Sequence, residues 1–158
     1  MLAILAIGAA LALASLWGVA AGSESGALAV ANAYKVPMVI LLSALTALPA
    51  GVVALKLTSA RLGAAELAGA FATSIFGGAL VLATLAPLVA IYYHTSSKAG
   101  LPLALGAVFV ALATASLLFA RAVARRVSER KSLIAVVVLV VLFLAALLQF
   151  VALAAPII

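Results

Sequence analysis

Cysteine is absent from this 158-residue chain, and histidine occurs once, as His94. Without thiols there is no disulfide framework, no thiol nucleophile and no thiolate metal site. One imidazole leaves a protein-only zinc or haem site short of ligands. Acids are almost as scarce, with only Glu24, Glu66 and Glu129. Intramembrane hydrolysis or lipid transfer needs paired acids, a histidine beside a nucleophile, or a metal cluster. The composition therefore points away from an enzyme and away from any cofactor.

Apolar residues are what the chain has in excess. They make up 70% of it against 8% charged, far from globular usage, and no polar stretch is long enough to build a surface around a core of its own. The composition implies one integral membrane domain over residues 1–158. A net charge of +6 would suggest nucleic acid in a soluble protein. Here the cations fall in short segments between apolar runs, where they answer to lipid headgroups and topology instead.

A helix crosses the hydrocarbon core in about 20 apolar residues at roughly 1.5 Å rise each. Five stretches meet that length, at about 2–21, 36–55, 67–92, 101–120 and 133–155. The expected fold is all-α, a polytopic bundle of five transmembrane helices with short loops. The last run contains Val136-Val137-Val138 and Val140-Val141, which in water would suggest a strand. Its length and full apolarity make it a helix in lipid. Gly22-Ser-Glu-Ser-Gly26 is turn chemistry, and Ser23 or Ser25 can cap a short interfacial helix at 27–34 before Pro37 opens the second span. Lys56 to Glu66 closes that span, 95–100 reads as a tight hairpin, and Pro102 suits the first turn of the fourth helix. Connections this short predict that consecutive spans are antiparallel and adjacent.

Arg121, Arg125, Arg126, Arg130 and Lys131 put five of the nine Lys and Arg residues into one eleven-residue stretch between the fourth and fifth spans. With five crossings they share a side with Lys56, Arg61 and the amino terminus, seven cations against Lys35 and Lys98 opposite. Basic residues beside spans are retained on the cytoplasmic face. The expected arrangement is a cytoplasmic amino terminus and an external Ile158 in a prokaryotic inner (cytoplasmic) membrane, with Tyr34, Tyr92 and Tyr93 at the outer interface. An alternative reading takes residues 1–21 as a cleaved signal peptide, since Val19-Ala20-Ala21 offers small residues before a cut. The missing positive n-region and the long apolar run weigh against it. The later loops keep their sides either way.

Lipid tails are as apolar as leucine, so spans associate through small residues that let backbones approach. Gly18 and Gly22 form one such pair, Gly69, Thr73 and Gly77 a longer stripe, and Ala107, Ala111 and Ala115 another. These either pack the bundle internally, the reading their abundance favours, or dock a partner helix. Pro49 and Pro87 lie inside the second and third spans, each freeing a carbonyl and kinking its helix. Hinges and ion sites use such breaks, but no acid accompanies these two. No ionisable side chain lies near the middle of a span, and Ser43, Thr46, Thr73, Ser74, Thr84, Thr114 and Ser116 can bond back to their own helices. Gln149 is harder to satisfy, because its amide needs a hydroxyl on a neighbouring helix, or else a lipid or substrate contact. His94 reads as interfacial, and Lys35 as a cation snorkelling from the outer mouth of the second span. The basic stretch is first a topology signal and second a surface for anionic lipid or an acidic partner. Arg121 and Arg125 share a helical face, and Glu129 follows four residues on as an ion-pair partner.

Lys35-Val-Pro37 leads into a span with an internal proline, and Leu85-Ala-Pro87 runs on to Tyr92-Tyr93-His94-Thr-Ser96. Over about residues 8–120 this order resembles the small bacterial polytopic proteins related to the Yip1 family. The resemblance implies five spans, a cytoplasmic amino terminus and a scaffold or adaptor role beside a peripheral or transmembrane partner. Eukaryotic Yip1 members begin with a cytoplasmic region that engages small GTPases, whereas here Met1 opens directly into lipid, so a trafficking role is not implied. The leading functional expectation is a non-enzymatic scaffold or accessory subunit that associates through small-residue helix faces and the basic loop. Its partners would be membrane lipids, a transmembrane or cytoplasmic protein, or a second copy, with no nucleic acid. The alternative is a transporter or channel for a small neutral or lipidic solute, built on Pro49, Pro87 and Gln149.

Overall fold

A computed structural model describes residues 2–57, 63–96 and 99–125, together with 137–138, 140–141, 144–145 and 148 of the carboxyl-terminal apolar run. Four helices account for the first three segments: α1 (Leu2–Ala21), α2 (Gly26–Leu57), α3 (Ala64–Thr95) and α4 (Gly100–Ala124). All four are long and apolar enough to cross a membrane. The fold is all-α, because lipid offers the backbone no hydrogen-bonding alternative. The expected fifth span, 133–155, falls largely outside the described residues. Those of its residues that are described are helical, and Val140 packs against the bundle.

The helix ends follow from local chemistry. Ser25 Oγ accepts the Leu28 N–H at 3.2 Å and opens α2. Before α3, the Glu66 carboxylate accepts the Gly63 N–H at 3.0 Å. Pro102 sits in the first turn of α4, where no backbone donor is needed. One expectation is corrected here: there is no separate interfacial helix at 27–34, since α2 runs unbroken through Pro37 and Pro49. Each proline removes a single bond to the carbonyl four residues back, Ala33 in the case of Pro37, and the surrounding turns hold. At 32 residues each, α2 and α3 are about 48 Å long, well beyond the roughly 30 Å hydrocarbon core, so they tilt or project from it.

Packing departs from chain order. α1 lies against both α2 and α3, and α3 lies against α4, but α2 and α3 touch only slightly and α2 and α4 scarcely at all. Adjacency of consecutive spans therefore holds for α1–α2 and α3–α4 and fails for α2–α3, where α1 takes the place beside α3. Two buried clusters result. One gathers Ala10, Ala47, Leu67, Ile75 and the rings of Phe71 and Phe119, which meet edge-on with centroids 5.0 Å apart. The other, toward the carboxyl end of α1, gathers Trp17, Leu82, Val89, Ala104, Ala107 and Ala111. Alanine dominates both, as expected where helices adhere by close approach and not by escape from water.

Candidate functional site: an apolar cleft beside α2

The small residues of α1 face α2. A Cβ at Gly18 would land on the Asn32 carbonyl oxygen, and one at Gly22 would stand 2.5 Å from that of Leu28. On α3 the close-packed face is one residue out of phase with the stripe read from spacing. Among the described residues a Cβ at Gly69 would meet nothing within 4 Å, Thr73 is exposed with its hydroxyl donating to Gly69 O at 2.9 Å, and Gly77 rests against the end of Leu118. The tight contact comes from Gly78, where a Cβ would lie 3.1 Å from Ala115 Cβ and 3.2 Å from Ala111 O, with Ala70 and Ser74 buried on the same face. On α4, Ala107, Ala111 and Ala115 are buried.

The remaining candidates disperse. Pro49 and Pro87 are exposed on the outsides of their helices. Arg121 and Arg125 are exposed at the end of α4, while Arg126, Arg130, Lys131 and Gln149 lie outside the described residues. Most hydroxyls bond back along their helices, Ser43 to Val39 O at 2.7 Å, Ser74 to Phe71 O at 2.8 Å and Thr114 to Val110 O at 2.9 Å. Ser116 differs, because its buried hydroxyl has no partner among the described residues.

Because α2 leans on α1 and stands clear of α4, a cavity of about 220 Å³ is left between them. Its floor is α3 at Ile75, Gly78, Ala79 and Leu82. Val36, Val39 and Ile40 form the α2 wall, and Leu105, Val108 and Leu112 the α4 wall. Leu101 and Leu105 are largely exposed, so the α4 wall continues onto the outer surface of the bundle.

Polar groups gather at the end of the cavity where α1 finishes and α2 begins, namely Trp17, Asn32, Lys35 and Tyr93. Trp17 is 8% exposed and Asn32 4% exposed, yet neither the indole Nε1 nor Asn32 Oδ1 has a hydrogen-bond partner among the described residues. Leaving such atoms unpaired costs roughly 1–3 kcal/mol each. Both atoms are closed off from the cavity as well as from the bundle surface, so it is the apolar parts of these side chains that line it. Reading the sequence misses both residues. Asn32 stands beside Tyr34 and Lys35, where an amide reads as solvated; only the unbroken α2 and the approach of Gly18 bury it. The available signal was periodicity, since Asn32, Lys35, Val36 and Val39 recur on one helical face.

Compared with protein-family models, curated proteins and solved structures, the chain matches none. Its class rests on fold and cleft: an all-α protein whose helices are long and apolar enough to span a membrane, with an apolar cavity that is polar at one end.

Proposed function

We propose that this is a non-enzymatic, five-span integral membrane protein that takes up a lipidic molecule in the cleft between α2 and α4. The observation that carries this reading is the ≈ 220 Å³ apolar cavity floored by α3. An engineered apolar cavity of about 150 Å³ stays dry and accepts benzene, whereas pockets for drug-sized ligands span roughly 300–1,000 Å³. The size suits a length of acyl chain better than a bulky solute. Pro49 and Pro87 are exposed and do not line the cavity, so uptake depends on the gap beside α2 and not on proline hinges.

In this proposal the amino terminus is cytoplasmic, Ile158 is external and the membrane is a prokaryotic inner membrane, supported by the seven-to-two bias of cations. The polar end of the cleft then faces the outer leaflet. The scaffold reading, in line with the resemblance to Yip1-related proteins, has separate support in Gly69 and Thr73, a small-residue face left open among the described residues.

The lipid reading is tested with an acyl chain carrying a diazirine, placed in nanodiscs with the full chain. Labelling is expected to concentrate on the walls around Val39 and Val108, and Val39→Phe, which fills the cleft, is expected to remove most of it. Uniform labelling of all outer helix surfaces, unchanged by Val39→Phe, overturns the reading.

A further inference from the structure

Resting on the reading of the cleft as a lipid site, we propose that it selects its occupant by the girth of a single hydrocarbon chain and takes linear-chain lipids whatever head they carry. Val39 on α2 and Leu112 on α4 set that girth. Both line the cavity. They also stand at one level. Gly78 of the floor lies against Ala111 and Ala115, which bracket Leu112, and Ile40, next to Val39, packs against the cluster that holds the floor residues Ile75 and Ala79.

The cavity is long for its volume. Its lining runs on α4 from Leu101 to Ala115, about 21 Å of helix, yet its volume is only about 220 Å³. Gathered into one chamber, that volume would admit a ring, since about 150 Å³ already holds benzene. Drawn out over the length of four helical turns it is a slot one chain wide, closed to fused rings and to a second chain. The α2 wall is also stiff, because Val36, Val39 and Ile40 are β-branched and keep essentially one χ1 rotamer in a helix. A methyl branch on the occupant meets a wall that does not yield.

Among the described residues, none at the end of the slot distinguishes one head from another. Trp17 Nε1 and Asn32 Oδ1 are sealed from the cavity, and Lys35 already has a partner. Tyr93 lines this end too, but a phenol both donates and accepts and so meets charged and uncharged heads alike. The exposed Leu101 and Leu105 continue the wall onto the bundle surface, so a chain enters sideways with its head left among the neighbouring lipids. A site of this kind reports the chain composition of the bilayer.

The experiment is competition against the diazirine acyl probe in nanodiscs holding the full chain, read as loss of label around Val39 and Val108. A monoacylglycerol phosphate, the uncharged monoacylglycerol and the fatty-acid methyl ester, all with one linear chain, are expected to displace the probe at mole fractions within about threefold of one another. A monoacylglycerol with a methyl-branched chain is expected to need at least about tenfold more, since one methylene of misfit in an apolar pocket is worth roughly 10–200-fold. A sterol is expected to leave the label in place. Leu112→Ala widens the slot and is expected to bring the branched chain to within about threefold of the linear one. Leu105→Ala, at the exposed mouth of the same wall, shifts the ratio in the same direction and carries the test if Leu112→Ala does not fold.

Displacement ordered by head at constant chain, equal displacement by linear and branched chains, or a ratio that neither alanine variant moves overturns the girth proposal and leaves the lipid cleft standing. Label that no competitor displaces and Val39→Phe does not reduce overturns both. So does a disulfide joining Val39→Cys to a cysteine placed in the 133–155 run, since that puts the chain's own segment in the cleft.

Discussion

Gly18 and Gly69 are both glycines within spans, and they stand at opposite extremes of tolerance. A methyl group at Gly18 would collide with the Asn32 carbonyl, a backbone atom that moves only if α1 and α2 part. Gly18→Ala is expected to cost on the order of 1–3 kcal/mol, read as a lower thermal midpoint in detergent. Gly69→Ala meets open space and is expected to gain roughly 0.5–1 kcal/mol from the helix backbone alone. Equal effects at the two sites would contradict the packing described. Spacing in the sequence picked out Gly18 and Gly22, yet it could not say what lies opposite them. The α3 stripe shows the difficulty, since Gly69-Thr73-Gly77 and Ala70-Ser74-Gly78 have the same small-residue spacing and only the position of α4 selects between them.

Among the elements, α1 spans the residues its hydropathy marks, while α3 and α4 extend a few residues past theirs. α2 begins at 26 instead of 36, because an apolar window measures the match to hydrocarbon and not the continuity of backbone bonding. Ser25 sets that start by capping, a feature the turn chemistry showed. What the pattern hid was that Pro37 lies within a helix and not at its head. The prolines also bear on function. Pro49 and Pro87 are exposed and outside the cavity lining, so Pro49→Ala and Pro87→Ala should stabilise their helices and leave diazirine labelling around Val39 and Val108 within about twofold of the parent. A large loss of binding in either variant would restore the proline-hinged reading.

For the whole molecule, α1, α3 and α4 form one packed block, and α2 is held to it mainly by α1. Antiparallel neighbours follow from loops of a few residues and were legible in advance. The order of packing was not, because it depends on which faces carry the small residues. The proposed orientation is checked by single cysteines in a chain that has none: Ser96→Cys should react with an impermeant thiol reagent on intact cells, and Ser128→Cys should not. External labelling at Ser128→Cys would invert the molecule and move the polar end of the cleft to the cytoplasmic leaflet.

For the lipidic occupant proposed above, the gap between α2 and α4, whose outer wall merges with exposed leucines of α4, would be a way in from the side. A site entered that way has no aqueous standard state. Its filling follows the ratio of amphiphile to bilayer lipid, so diluting the buffer leaves occupancy where it was, while adding empty vesicles drains it. The protein would thus respond to the composition of its membrane and remain indifferent to the volume of water around it.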